Sequence, residues 1–76
     1  MIREYDVLYV NMAAPRLLPD EARIEMQVSG LTEQQIEEQL LIRARIELSR
    51  SLKTQQKDIA IHGFTLISER SNIKVT

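Results

Sequence analysis

Leu31-Thr32-Glu33-Gln34-Gln35-Ile36 is the stretch on which the reading of the fold turns. Thr32 has the short, oxygen-bearing side chain that an N-cap needs. Gln35 stands three residues on, so each side chain can bond the other's backbone N–H in a capping box. Leu31 before the cap and Ile36 at the fourth helical position are placed to form a hydrophobic staple. Glu33 lies in the first turn, where the positive end of the helix dipole favours an anion. No Gly or Pro interrupts the chain from there to Gly63, and the helix is expected to run to Lys53 or Thr54. Arg50, Lys53 and Lys57 sit where the negative pole favours cations.

Upstream of the cap, Ala22, Ile24, Met26 and Val28 alternate with Arg23, Glu25 and Gln27. Period-two alternation with one wet face reads as a strand of an antiparallel sheet covered on one side, ended by Ser29-Gly30. Ile2 to Val10 is a further strand. Tyr5, Val7 and Tyr9 share one face, and Leu8, Val10 and Met12 share the other, so cover on both sides is expected. Between these strands, Asn11 to Glu21 carries Pro15 and Pro19, which break a ladder. Leu17 and Leu18 make this loop more apolar than a plain solvent loop; they either cap the core or recognise a partner.

Downstream of the helix, Asp58 to Ser68 reads as a third strand, with Ile59 and Ile61 on one side and Phe64 and Leu66 on the other. The apolar parity switches at Gly63, which suggests a bulge or bend. Glu69 to Asn72 are turn residues, and Ile73 to Val75 is expected as a short final strand. The expected fold is α+β, in the order β-β-α-β-β: a four-stranded, mostly antiparallel sheet with one long helix on one face, forming a single domain over residues 1–76.

The helix itself points to function. On a wheel at about 100° per residue, Leu40, Leu41, Ala44, Leu48 and Leu52 form one broad sector that should lie on the sheet. Ile36 falls away from that sector, as a staple residue would. Ile42 and Ile46 fall on the opposite side, one turn apart. A helix on one sheet face needs a single apolar stripe. The second is either a pair of surface hydrophobes, scattered or covered by Leu17 and Leu18, or an i, i+4 ridge that packs on a second copy or on another protein. Arg43, Arg50, Lys53 and Lys57 form a basic strip that could instead follow a nucleic-acid backbone, although the helix dipole and an Arg43–Glu47 pair explain the same charges.

The chemistry of catalysis is sparse. There is no Cys, one His and two Gly, so disulfides, cysteine zinc sites and glycine-rich phosphate loops are excluded. His62 is read as a structural or surface residue without a nucleophile beside it. Glu33 and Glu37 share a helical face as hard-metal ligands might, but read better as a solvated acidic surface. No cofactor or metal is expected. The formal net charge of −1 offers no general attraction to nucleic acid or acidic membranes. The longest apolar run, Val7 to Val10, is far short of the roughly 20 residues of a membrane helix. The first residues read as strand and not as a signal peptide, so a cytoplasmic location is expected. A chain of 76 residues with three aromatics has a thin core, and small domains of this kind often gain stability by association. These features together lead to the expectation of a non-enzymatic, homodimeric interaction domain (an adaptor, inhibitor or regulatory subunit), with nucleic-acid binding as the alternative. The contact would be the helix face carrying Ile42 and Ile46 or a sheet edge, through which the sheet could continue across the dimer with Tyr5 and Tyr9 at the joint.

Overall fold

The computed structural model describes residues 1–71. Strand β1 (Ile2–Asn11) and strand β2 (Asp20–Gln27) form a long hairpin, helix α1 (Glu33–Leu52) follows, and a 3-10 turn over Gln56–Asp58 leads into strand β3 (Ile59–Arg70). Among the described residues the sheet has three strands in the order β2-β1-β3, and β1 is antiparallel to both neighbours. Strands β2 and β3 therefore run the same way on either side of β1, and α1 carries the chain across. The expected fourth strand, Ile73 to Val75, lies outside the described residues. Glu69 and Arg70, expected in a turn, extend β3 instead, because they pair with Arg3 and Ile2.

The cap forms as its residues dictate. The Thr32 hydroxyl accepts from Gln35 N at 3.2 Å, and Thr32 N donates to Gln35 Oε1 at 3.0 Å. At the other end the chain leaves the helix through Lys53 in the left-handed region, φ 54°, a place usually taken by Gly. The buried stripe is Ile36, Leu40, Ala44 and Leu48, four residues apart throughout. This corrects the position of Ile36, which lies in the core, with Leu31 partly buried against the same cluster. Leu52, expected on the sheet, is exposed. Successive steps of four drift around the helix by about 40° each at 100° per residue, so the face that meets the sheet is a spiral and not the straight sector drawn on the wheel.

Facing this stripe are Tyr5, Val7 and Tyr9 of β1, Ile24 and Met26 of β2, and Ile59 of β3. Leu40 and Val7 have no exposure at all, and burying a side chain of this size contributes about 1.5–3 kcal/mol. The other face of β1 is covered only in part. Val10 is buried there, but Leu8 and Met12 are exposed, and Glu4 and Asp6 on this face take Arg23 of β2 as a partner, at 2.6 and 3.9 Å. Tyr5 and Tyr9 are buried in the middle strand, with a strand on either side, so they do not stand at a joint with the sheet of a second copy.

Strand β3 is irregular where the parity switched. Leu8 pairs with Gly63 and Tyr9 with Ile61, leaving His62 as the extra residue of a bulge. A second shift, between Glu4 and Tyr5, leaves Ile67 unmatched. The first bulge turns Phe64 onto the same face as Tyr5, where the two rings meet edge to face with centroids 5.8 Å apart.

Candidate protein interface

Three elements meet at Arg3. Its guanidinium donates to both carboxylate oxygens of Glu33 at 3.1 Å, to the Tyr5 hydroxyl at 3.1 Å and, through Nε, to Glu69. This ties the helix start to β1 and β3. The Glu33 carboxyl is held below its ordinary value, first by the hydrogen bond from Arg3 and then by its charge. Glu33 thus serves as an ion-pair partner, a role that its helical spacing from Glu37 did not suggest. Among the described residues no group of three or more His, Cys, Asp or Glu side chains is placed to hold a metal ion. His62 is exposed at the β3 bulge.

An open concavity lies between α1 and β2. It is a groove of about 550 Å³. Met26 and Leu31 line it from the strand side, and Ile42 and Ile46 from the helix side. Arg43, Glu47 and Arg50 add charge along the same wall. Ile42 remains 52% exposed and Ile46 is half-buried. The second helical stripe therefore overlooks the flank of β2, beyond the spiral that contacts the sheet.

Leu17 and Leu18 do not join this groove. They are 56% and 64% exposed on the loop between β1 and β2 and contribute nothing to its lining, so this loop does not cover Ile42. The two pairs of candidate interface residues are thus separate features. The basic strip is divided as well. Arg43 donates to the Glu25 carbonyl at 3.2 Å and stands 3.9 Å from Glu47. Arg50 lines the groove, whereas Lys53 is the helix C-cap and Lys57 lies in the 3-10 turn, neither in the groove lining.

The floor of the groove is next to an edge strand. Strand β2 has β1 on one side and no strand on the other among the described residues. Its register with β1 runs without a shift from Gln27 to Asp20, in contrast to the two shifts of β3. In an antiparallel strand the N–H and C=O of one residue point the same way. The bond from Arg43 to Glu25 O, and that from Val28 N to Met1 O at 3.0 Å, fix the parity. Odd-numbered residues of β2 turn their backbone groups outward and even-numbered ones turn theirs to β1. Glu21, Arg23, Glu25 and Gln27 therefore present the outer edge.

The sequence marks Ile42 and Ile46 and offers a sheet edge in general, but it does not single out Met26, Leu31 or β2 as that edge. The alternation of Glu21, Arg23 and Glu25 was visible in the chain. That it lies on an edge depends on strand order, which pattern alone does not supply. No helix among the described residues is long and apolar enough to cross a membrane. Compared with protein families, with curated proteins and with solved structures, the chain gives no significant match.

Proposed function

We propose that this chain is a small interaction domain without catalytic activity, acting as an adaptor, inhibitor or regulatory subunit, and that it forms a homodimer through the groove between α1 and β2. The observation that carries this reading is the position of Ile42 and Ile46, two branched apolar side chains beside a bulge-free edge strand. Singly exposed hydrophobes are ordinary. Here two lie one helical turn apart and share a concavity with Met26 and Leu31, which is the arrangement into which a partner can place apolar side chains while its backbone or helix lies alongside. The thin core supports the same reading, since association adds buried area that 76 residues alone do not provide.

Nucleic-acid binding is the second reading, resting on Arg50, Lys53 and Lys57. It is the weaker one, because Arg43 is engaged by the Glu25 carbonyl and Glu47 interrupts the strip, and phosphate binding needs unopposed cations in register. Light scattering of the wild type across dilution, beside a variant carrying Ile42→Asp and Ile46→Asp, tests the first reading. A dimer that becomes a folded monomer in the variant supports it; a wild type that is monomeric at every concentration refutes it. A salt-dependent gel shift with DNA or RNA would favour the second.

A further inference from the structure

Resting on the reading above, we infer that the second copy docks by strand addition: β2 pairs antiparallel with β2 of the partner about a two-fold axis at Ile24, and the two three-stranded sheets become one continuous sheet. Three observations converge on this edge.

The first is regularity. Of the two sheet edges among the described residues, β3 carries two bulges, a device that spoils edge-to-edge pairing. Strand β2 carries none over its length.

The second is charge. Pairing through the outward groups requires odd-numbered residues to face odd-numbered residues. Centring on Arg23 would place the two Arg23 side chains together and Glu21 against Glu25. Centring on Glu25 would place the two Glu25 side chains together. Centring on Ile24 places Arg23 opposite the partner's Glu25 and Glu25 opposite the partner's Arg23, with Glu21 facing the partner's Gln27. Opposite charges then meet twice by symmetry, and like charges meet nowhere among these facing pairs. Centring on Ala22 also opposes unlike charges, Glu21 with Arg23, but it sets Pro19, which has no N–H, against Glu25 and shortens the ladder.

The third is continuity with the groove. A two-fold axis perpendicular to the sheet leaves both helices on the same face, so the partner brings its own α1 toward the side on which Ile42 and Ile46 stand. One contact thus covers a strand edge and an apolar wall together. Arg43 guards this edge. Its guanidinium donates to the Glu25 carbonyl, which in the paired state also accepts from the partner's Arg23 N–H, so the two donors compete for space at one oxygen and an outward swing of Arg43 clears the edge for pairing. It is half-exposed, and solvent is open to it.

The experiment is amide hydrogen exchange on the full wild-type chain across a dilution series, alongside its solution mass. Protection of the Arg23 and Glu25 amides that rises with the dimer fraction supports the inference. A dimer whose Arg23 and Glu25 amides exchange as in the monomer, or whose new protection falls on β3, overturns it and leaves the groove dimer standing. A monomer at every concentration overturns both. As an independent check, Glu25→Arg should weaken the dimer about tenfold or more, since two facing pairs turn from attractive to repulsive. Adding Arg23→Glu should recover most of that loss. No recovery in a variant whose melt shows it folded overturns the register. If the double variant does not fold, the wild-type amide pattern decides.

Discussion

Replacing Ile42 and Ile46 together by Asp isolates the interface from the fold, and the structure sets the size of the effect. Ile42 keeps 52% of its surface exposed and Ile46 is half-buried. Full burial of such a side chain is worth about 1.5–3 kcal/mol, so the surface still available gives about 1 kcal/mol for Ile42 and roughly half that for Ile46. A symmetric dimer uses each twice, for about 3 kcal/mol in all, or on the order of a hundredfold in Kd. Carboxylates desolvated at the same place add to the loss. The monomer loses far less: each Ile→Asp change in a helix costs about half a kcal/mol in propensity, against a stability of roughly 4–11 kcal/mol for a domain of this size. Light scattering for mass and circular dichroism for melting read the two effects separately. A variant that remains dimeric at concentrations where the wild type is half dissociated would refute the assignment of this stripe to the interface. A variant that unfolds would show that Ile42 and Ile46 belong to the core.

Other consequences follow from individual contacts. Arg43→Ala removes the group that competes for the Glu25 carbonyl, so the dimer should tighten, by up to about tenfold for one modest hydrogen bond; weaker association would mean that Arg43 touches the partner. Leu40→Ala empties a fully buried site beneath the helix and should cost about 2–5 kcal/mol in urea unfolding; a loss below about 1 kcal/mol would mean that the site collapses freely. Gly30 has φ +78° whereas Gly63 has an ordinary φ and open space around its Cβ position, so Gly30→Ala should cost about 1–2 kcal/mol and Gly63→Ala less than about 0.5 kcal/mol. The Arg3 pair gives a pH signature. The Glu33 carboxyl is held below its ordinary value by Arg3, so its stabilising contribution is present above the unfolded carboxylate range and lost as pH falls through the lower folded value. Melting temperatures of wild type and Glu33→Gln should therefore differ at neutral pH and converge in acid. Glu21 works with the opposite sign: its hydrogen bond and repulsion with Asp6 push its carboxyl up, so Glu21→Gln should raise the melting temperature at neutral pH.

Local chemistry was legible in the chain and long-range arrangement was not. The Thr32–Gln35 box, the strand signals before it and the bulge beside Gly63 are decided within a few residues, and the structure has all of them. The strand order was not readable, because alternation fixes which face of a strand is buried but not which strand stands beside it. That single gap accounts for the tyrosines of β1, which could have stood at a joint between two sheets and are found in the middle strand. It also hid which strand is the edge, since Arg23 and Glu25 look like any solvated face until β2 is known to lie outermost. The wheel failed more gently. It separated Ile42 and Ile46 from the core correctly, but a straight sector misplaced Ile36, because the buried stripe repeats every four residues and winds around the helix. Leu52, the next step of four, is the last helical residue and is exposed. Arg3 gave no local signal at all: its partners Glu33 and Glu69 are distant in sequence and meet only when β1, α1 and β3 are assembled.

If β2 and the flank of α1 form a self-complementary surface, the solution mass of the wild-type chain across a dilution series, at low and at high salt, will show it. The expected result is a dimer that dissociates to monomer on dilution and persists at high salt, because apolar side chains and backbone hydrogen bonds hold it. A chain that stays monomeric at every concentration and both salts would contradict it.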